Sequence, residues 1–147
     1  MGKQDLVFLL VEDSEHDVLA IKRAWRENRI ANALQIVRDG KQCLDYLERR
    51  GRFSRPAAAP GPDVILLNNR MPRMDGLQVL KKIRESENYH HLPVVMFTAT
   101  ENEAEQVKSY DLGVNAYIVK PMSFKKLSAT IRTLNKFWDL AQIPQDC

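Results

Sequence analysis

Five short β-rich runs alternate with stretches of helical period, and that alternation limits the chain more than any other feature. The runs are Leu6–Val11, Leu34–Val37, Val64–Leu67, Pro93–Thr98 and Ala116–Val119. Between them, apolar residues recur every three or four positions: Val18, Ile21 and Trp25, then Leu44 and Leu47, then Leu77, Leu80 and Ile83, then Ala104 and Val107. The last such stretch carries Phe124, Leu127, Ile131, Leu134 and Trp138. This spacing puts apolar side chains on one helix face. Strands separated by helices pair in parallel, because a parallel neighbour needs a crossover, and the helices then cover both faces of the sheet.

Helix punctuation agrees. Ser14-x-x-Asp17 and Thr100-x-x-Glu103 have the form of capping boxes, Asp75 and Ser123 suit N-caps, and Gly51 and Gly113 fall where helices should stop. The least regular piece is the proline-rich loop from Gly51 to Pro62, which is too short to link domains. A chain of 147 residues is long enough for one domain with a proper core. We expect a single domain over 1–147, with its core in about 5–136 and a short aromatic extension at 137–147.

Charge and cysteine usage exclude several classes. The net charge of +3 is mild and its basic residues are interleaved with acids, so no nucleic-acid partner is expected. The lysine-rich face of the last helix (Lys125, Lys126, Arg132, Lys136) reads as solvated. The first apolar run is too short for a membrane span and lacks a cleavage pattern. Met1-Gly2 opens like a myristoylation site, but Leu6 stands where that motif needs Ser or Thr. Cys43 and Cys147 make neither a disulfide framework nor a metal cluster, so a cytoplasmic location is expected. Cys43, Met71, Met74 and Met96 read as packing residues, and His90-His91 as surface.

In an open parallel sheet, sites form at the carboxyl ends of the strands, where strand order reverses. The five runs end here in Glu12-Asp13-Ser14, Arg38-Asp39-Gly40, Asn68-Asn69-Arg70, Thr98-Ala99-Thr100 and Lys120-Pro121. Adjacent carboxylates at Glu12 and Asp13 are costly without a cation, and oxygen ligands of that kind suit Mg²⁺. A lysine and a threonine opposite them could hold an anion such as a phosphoryl group. The residues alone therefore suggest a Mg²⁺ and phosphate site without a nucleophile. A flavin-binding protein would want a phosphate loop rich in Gly, Ser or Thr after the first strand, and "EDSEHD" puts carboxylates there instead.

Four segments, "LVEDSEHD", "PDVILLNNRMPRMDGLQVLKKIR", "PVVMFTAT" and "LGVNAYIVKP", together resemble the receiver domain of two-component response regulators over essentially the whole chain. "SYDLGVNAYIVKP" with Phe137-Trp138 is similar, more narrowly, to the single-domain regulators that accompany phytochrome-type sensor histidine kinases. The resemblance implies a flavodoxin-like, doubly wound (βα)5 fold with strand order 2-1-3-4-5. It implies a signalling module in a phosphorelay, not an enzyme, with a phytochrome-like histidine kinase as partner. The output would pass through protein contacts, since no output domain is expected after the last helix.

Site roles carry over by position. Glu12 and Asp13 match the acidic pair that holds Mg²⁺, together with position 68 and the backbone carbonyl of Arg70. Thr98 matches the hydroxyl that meets the phosphoryl group, Tyr117 the aromatic switch residue, and Lys120 the lysine that pairs with phosphoryl oxygens. Pro121 matches a proline whose preceding bond is usually cis. Asn68 stands at the phospho-accepting aspartate.

An amide is a poor nucleophile and forms no acyl phosphate, so phosphorylation at Asn68 is not expected, and Mg²⁺ should be held more weakly or not at all. The chain is then either a receiver that works as a phosphorylation-independent interaction module, or one whose aspartate was exchanged to hold the unphosphorylated state. Without a carboxylate at 68, Lys120 is expected to keep a neutral hydrogen bond to Asn68 and to approach Glu12 or Asp13. The resemblance also implies a homodimer through the fourth and fifth helices, the last strand and the tail.

Overall fold

The computed structural model describes residues 6–55 and 57–140. Its elements are β1 (Val7–Val11), α1 (Glu15–Glu27), β2 (Ala33–Val37), α2 (Gly40–Glu48), a 3₁₀ turn (Gly51–Phe53), β3 (Val64–Asn68), α3 (Gly76–Glu85), β4 (Val94–Thr98), α4 (Glu101–Lys108), β5 (Ala116–Val119) and α5 (Phe124–Leu140). The five strands form one parallel sheet in the order β2-β1-β3-β4-β5.

Strand composition explains the placement. β3 and β4 read VILLN and VVMFT and are buried at every position, as central parallel strands covered on both faces must be. β2 and β5 lie at the edges and are mostly half-exposed. Side chains of β1 alternate between two cores. Leu9 and Val11 join Ile65, Leu67, Met96, Val79, Leu80 and Ile83 on one face. Phe8 and Leu10 join Leu66, Val95, Phe97, Trp25 and Ile131 on the other, where α1 and α5 pack together. Phe8 meets Trp25 edge to face at 5.1 Å, and the Asn28 amide, at the end of α1, donates to Ser128 O of α5 at 3.0 Å.

Cap geometry departs from the expected boxes in instructive ways. Ser14 and Thr100 accept from the backbone N–H groups of Asp17 and Glu103, as a box requires, but neither acid reaches back to its own cap. The Glu103 carboxylate accepts from Ala99 N and Asn69 Nδ2, and Asp17 turns to Lys120. A carboxylate near a free cation or a buried donor does better there than on a solvated N–H. Among the described residues a full box stands at Asp75, made with Gln78, and Ser123 accepts from Lys126 N at 3.2 Å. Asp39, not expected as a cap, closes the start of α2.

Neither glycine stops its helix. α2 ends at Glu48 on the left-handed Arg49, and α4 ends at Lys108, well before Gly113. The segment ahead of β5 is held instead by Arg84, whose guanidinium donates to the carbonyls of Leu112, Gly113, His90 and Leu92.

α5 carries the expected stripe to Trp138 and runs on to Leu140, so the first four residues of the expected extension, 137–140, are helical. Its apolar stripe continues to Trp138, and a helix carries on while that stripe finds sheet to cover. Residues 141–147 of the expected extension, with Cys147, lie outside the described residues. Cys43 is buried in α2, and burial pushes its thiol up to about 12, so it packs as a small apolar group.

Candidate functional site

Sheet register brings the strand ends to one level: Val11 pairs with Val37 and Leu67, Asn68 with Phe97, and Thr98 with Val119. The next residue of each strand therefore opens onto a common edge. β1 lies between β2 and β3, so the chain leaves it first to one side and later returns on the other. Crevices in open α/β sheets form at such reversals. Tight turns close the edge. Gly76 N donates to Asn69 O at 2.7 Å, and a Cβ on Gly76 would lie 2.4 Å from Asn68 O, so only glycine lets α3 start this close to β3.

Glu12 extends the β1–β2 ladder through its N–H to Val37 O and is 1% exposed. A carboxylate this deep needs donors on both oxygens. Oε1 accepts from Lys120 Nζ at 2.9 Å, and Oε2 accepts from Ser14 N at 3.1 Å and Asn68 Nδ2 at 3.0 Å. Burial still pushes the Glu12 carboxyl above its ordinary range, against the lowering effects of Lys120 and Ser14. Asp13, next along, is exposed.

Asn68 is 5% exposed and its amide nitrogen donates to three acceptors, Glu12 Oε2, Asp13 Oδ1 (3.2 Å) and the Arg70 carbonyl (2.8 Å). All three accept only, so the NH₂ group and not Oδ1 must face them. These are the three protein groups expected around the metal beside position 68. The amide nitrogen meets all three of them.

Lys120 behaves partly as expected. Its ammonium reaches Glu12, but its second partner is Asp17 Oδ2 of α1 at 2.8 Å, not Asp13 or Asn68. Burial pulls the ammonium down, and the bonds to Asp17 and Glu12 outweigh it, leaving Lys120 raised above 10.5. Thr98 is fully buried, with its hydroxyl donating to Thr100 O at 3.3 Å and its carbonyl accepting from Lys120 N at 2.8 Å. Tyr117 is half-buried against the core on the α2–α4 side of the sheet, under Lys108 Nζ at 5.3 Å from its ring centroid.

The Lys120–Pro121 bond is not cis, since no described peptide bond is, and this corrects the expectation. Trans is the intrinsic preference of X–Pro bonds by about 0.5–1 kcal/mol. Here Lys120 reaches both carboxylates in that form.

Glu12, Asp13, Asn68, Arg70, Thr98 and Lys120 thus share the edge, with Tyr117 behind it. Sequence reasoning missed Asp17 and the Asn69–Glu103 pair. Asp17 had a signal, because four acids between Glu12 and Asp17 outnumber the one lysine expected there. Asn69 and Glu103 had none, being far apart in sequence.

Among the described residues no group of three or more His, Cys, Asp or Glu side chains is placed to hold a metal ion. The convergent oxygens of Glu12, Asp13 and Arg70 nevertheless fit a hard divalent cation in kind. The fit requires the Asn68 amide to turn over and offer Oδ1.

A 2-1-3-4-5 parallel sheet whose edge gathers two acids after β1, a hydroxyl at the end of β4 and a lysine after β5 defines a receiver. The family model for the response regulator receiver domain matches residues 8–132, and the chain belongs to that family. It is 33% identical over 132 residues to the response regulator Rcp1 of Synechocystis sp., covering 90% of this chain and 88% of that protein. A Mn²⁺-bound structure of Rcp1 superposes with a TM-score of 0.82, at 32% identity, over 95% of this chain and 99% of that one. The phosphorylated cyanobacterial phytochrome response regulator RcpA gives a TM-score of 0.84 at 32% identity, over 97% of this chain and all of that one. RPA3017, described as a response regulator in red light signaling of R. palustris, gives 0.87 at 34%, over 96% and 99%. This chain is therefore a response regulator receiver related to phytochrome response regulators.

Proposed function

We propose that the chain is a receiver partnered with a phytochrome-like histidine kinase, and that it acts without taking a phosphoryl group at position 68. One observation carries this reading. The Asn68 amide nitrogen bonds Glu12, Asp13 and the Arg70 carbonyl at once, filling the locus of a cation with a neutral donor. Glu12, Asp13 and the Arg70 carbonyl would hold Mg²⁺ if it bound, and the ion would supply positive charge for phosphoryl oxygens. Thr98 and Lys120 would contact those oxygens, and Tyr117 would follow the change. With a carboxamide in place of the nucleophile, none of these groups can complete transfer. Kinship with phytochrome regulators supports the kinase class.

The output is a protein contact, which we place on α4, β5 and α5 as a homodimer face. Phe137 and Leu140 are 57% and 84% exposed at the end of α5, and Tyr110 is exposed beyond α4. Phe137 and Leu140, three residues apart on one helix, form the kind of exposed apolar pair that marks a contact. Intact-mass measurement after incubation with Mg²⁺ and acetyl phosphate tests the phosphorylation reading: the native chain stays unmodified and Asn68→Asp gains a phosphoryl group.

A further inference from the structure

We propose that Asn69 is a latch that fixes the first turn of α4 to the end of β3, so that residue 69, not residue 68, sets the position of that helix. Every polar group of Asn69 is committed. Its backbone N–H donates to Phe97 O of β4 at 2.9 Å, and its carbonyl accepts from Gly76 N at 2.7 Å. The side-chain Oδ1 accepts from Leu77 N of α3 at 3.2 Å, and Nδ2 donates to Glu103 Oε1 of α4 at 2.8 Å. A backbone N–H on one side and a carboxylate on the other leave the amide one orientation. Asn69 therefore ties together β3, β4, α3 and α4.

The Glu103 end is equally determined. Glu103 is 6% exposed, and its second oxygen accepts from Ala99 N at 3.2 Å, with Arg70 Nε at 3.5 Å. A buried carboxylate is tolerated only where hydrogen bonds replace water. The third residue of α4 also places that charge at a helix N-terminus, where it is favoured. If α4 moved away, Glu103 would lose the Asn69 amide. Removing a partner from a buried carboxylate such as Glu103 costs more than the bond contributes. The latch involves neither Asn68 nor Lys120.

Hydrogen exchange on the full chain tests this. Asn69→Asp sets a carboxylate against Glu103, and amide protection across 99–108 should fall about tenfold or more, with protection in α1 and α5 unchanged. Asn69→Asp with Glu103→Gln reverses the polarity of the bond and keeps acceptors for Leu77 N and Ala99 N, so protection of α4 should return to the native level. Native exchange in the single variant would overturn the proposal, as would an equal loss across all helices or a double variant no better protected than the single. Because position 68 stays asparagine throughout, these outcomes leave the phosphorylation reading untouched.

Discussion

Asn68 Nδ2 lies 3.0 Å from Glu12 Oε2, a neutral donor against a carboxylate that is almost wholly buried. The same Glu12 takes the Lys120 ammonium on its other oxygen. The ammonium thus supplies the only positive charge among these bonds to Glu12, and the amide supplies a hydrogen bond without charge. This arrangement has measurable consequences.

Phosphorylation comes first. Acetyl phosphate with Mg²⁺ should leave the native mass unchanged, because an amide is not a competent nucleophile. Asn68→Asp should gain one phosphoryl mass, since Thr98 and Lys120 are already at the edge. A stable gain by the native chain, located at residue 68 by peptide mapping, would refute the reading.

Metal affinity is the second. A carboxylate 4 Å from a dication contributes about 8 kcal/mol of gross attraction at an effective dielectric of 20, most of it returned by hydration. The Asn68 amide must also give up three hydrogen bonds before its oxygen can face the ion. Calorimetric titration with Mg²⁺ or Mn²⁺ should show Asn68→Asp binding about tenfold or more tightly, ~1.4 kcal/mol. Equal affinities would mean that Glu12 and Asp13 suffice.

Lys120 gives the third, through stability. Lys120→Met leaves Glu12 buried without its cation, and removing one partner of such a pair costs about 3 kcal/mol or more. Denaturant unfolding at pH 7 reads this directly. The folded Lys120 is raised above 10.5, so its contribution is complete below 10.5 and fades as pH rises through the folded value. The stability gap between native and Lys120→Met should therefore close at strongly alkaline pH. Glu12 works in the other sense. Its carboxyl is raised by burial, so its ionisation burdens the fold at neutral pH and is relieved as pH falls through the raised value towards 4.5. A gap that stays constant above 10.5 would show that Lys120 acts by packing alone.

Assembly is the fourth. Light scattering over a concentration series should give a dimer at tens of micromolar, and Phe137→Ala should shift it towards monomer, because Phe137 is exposed on α5 beside the buried Trp138. A monomeric native chain, or a dimer indifferent to Phe137→Ala, would remove the proposed face.

By itself the sequence determined the alternation of strands and helices, the helical faces and the positions on the functional edge. These are local matters of hydrophobic period and of which residue comes after each apolar run, as with Val11 before Glu12 and Leu67 before Asn68. The resemblance to receivers marked position 68 as the place where a carboxylate is expected and Asn stands. Tertiary structure decided how the charges are shared. Asp17 was legible as a capping acid, yet it turns to Lys120 because α1 and the end of β5 meet only in the fold. Glu103 likewise leaves its own cap for Asn69, 34 residues away in the chain. A buried charge selects its partner by proximity and desolvation, and neither exists until the sheet has brought distant segments together.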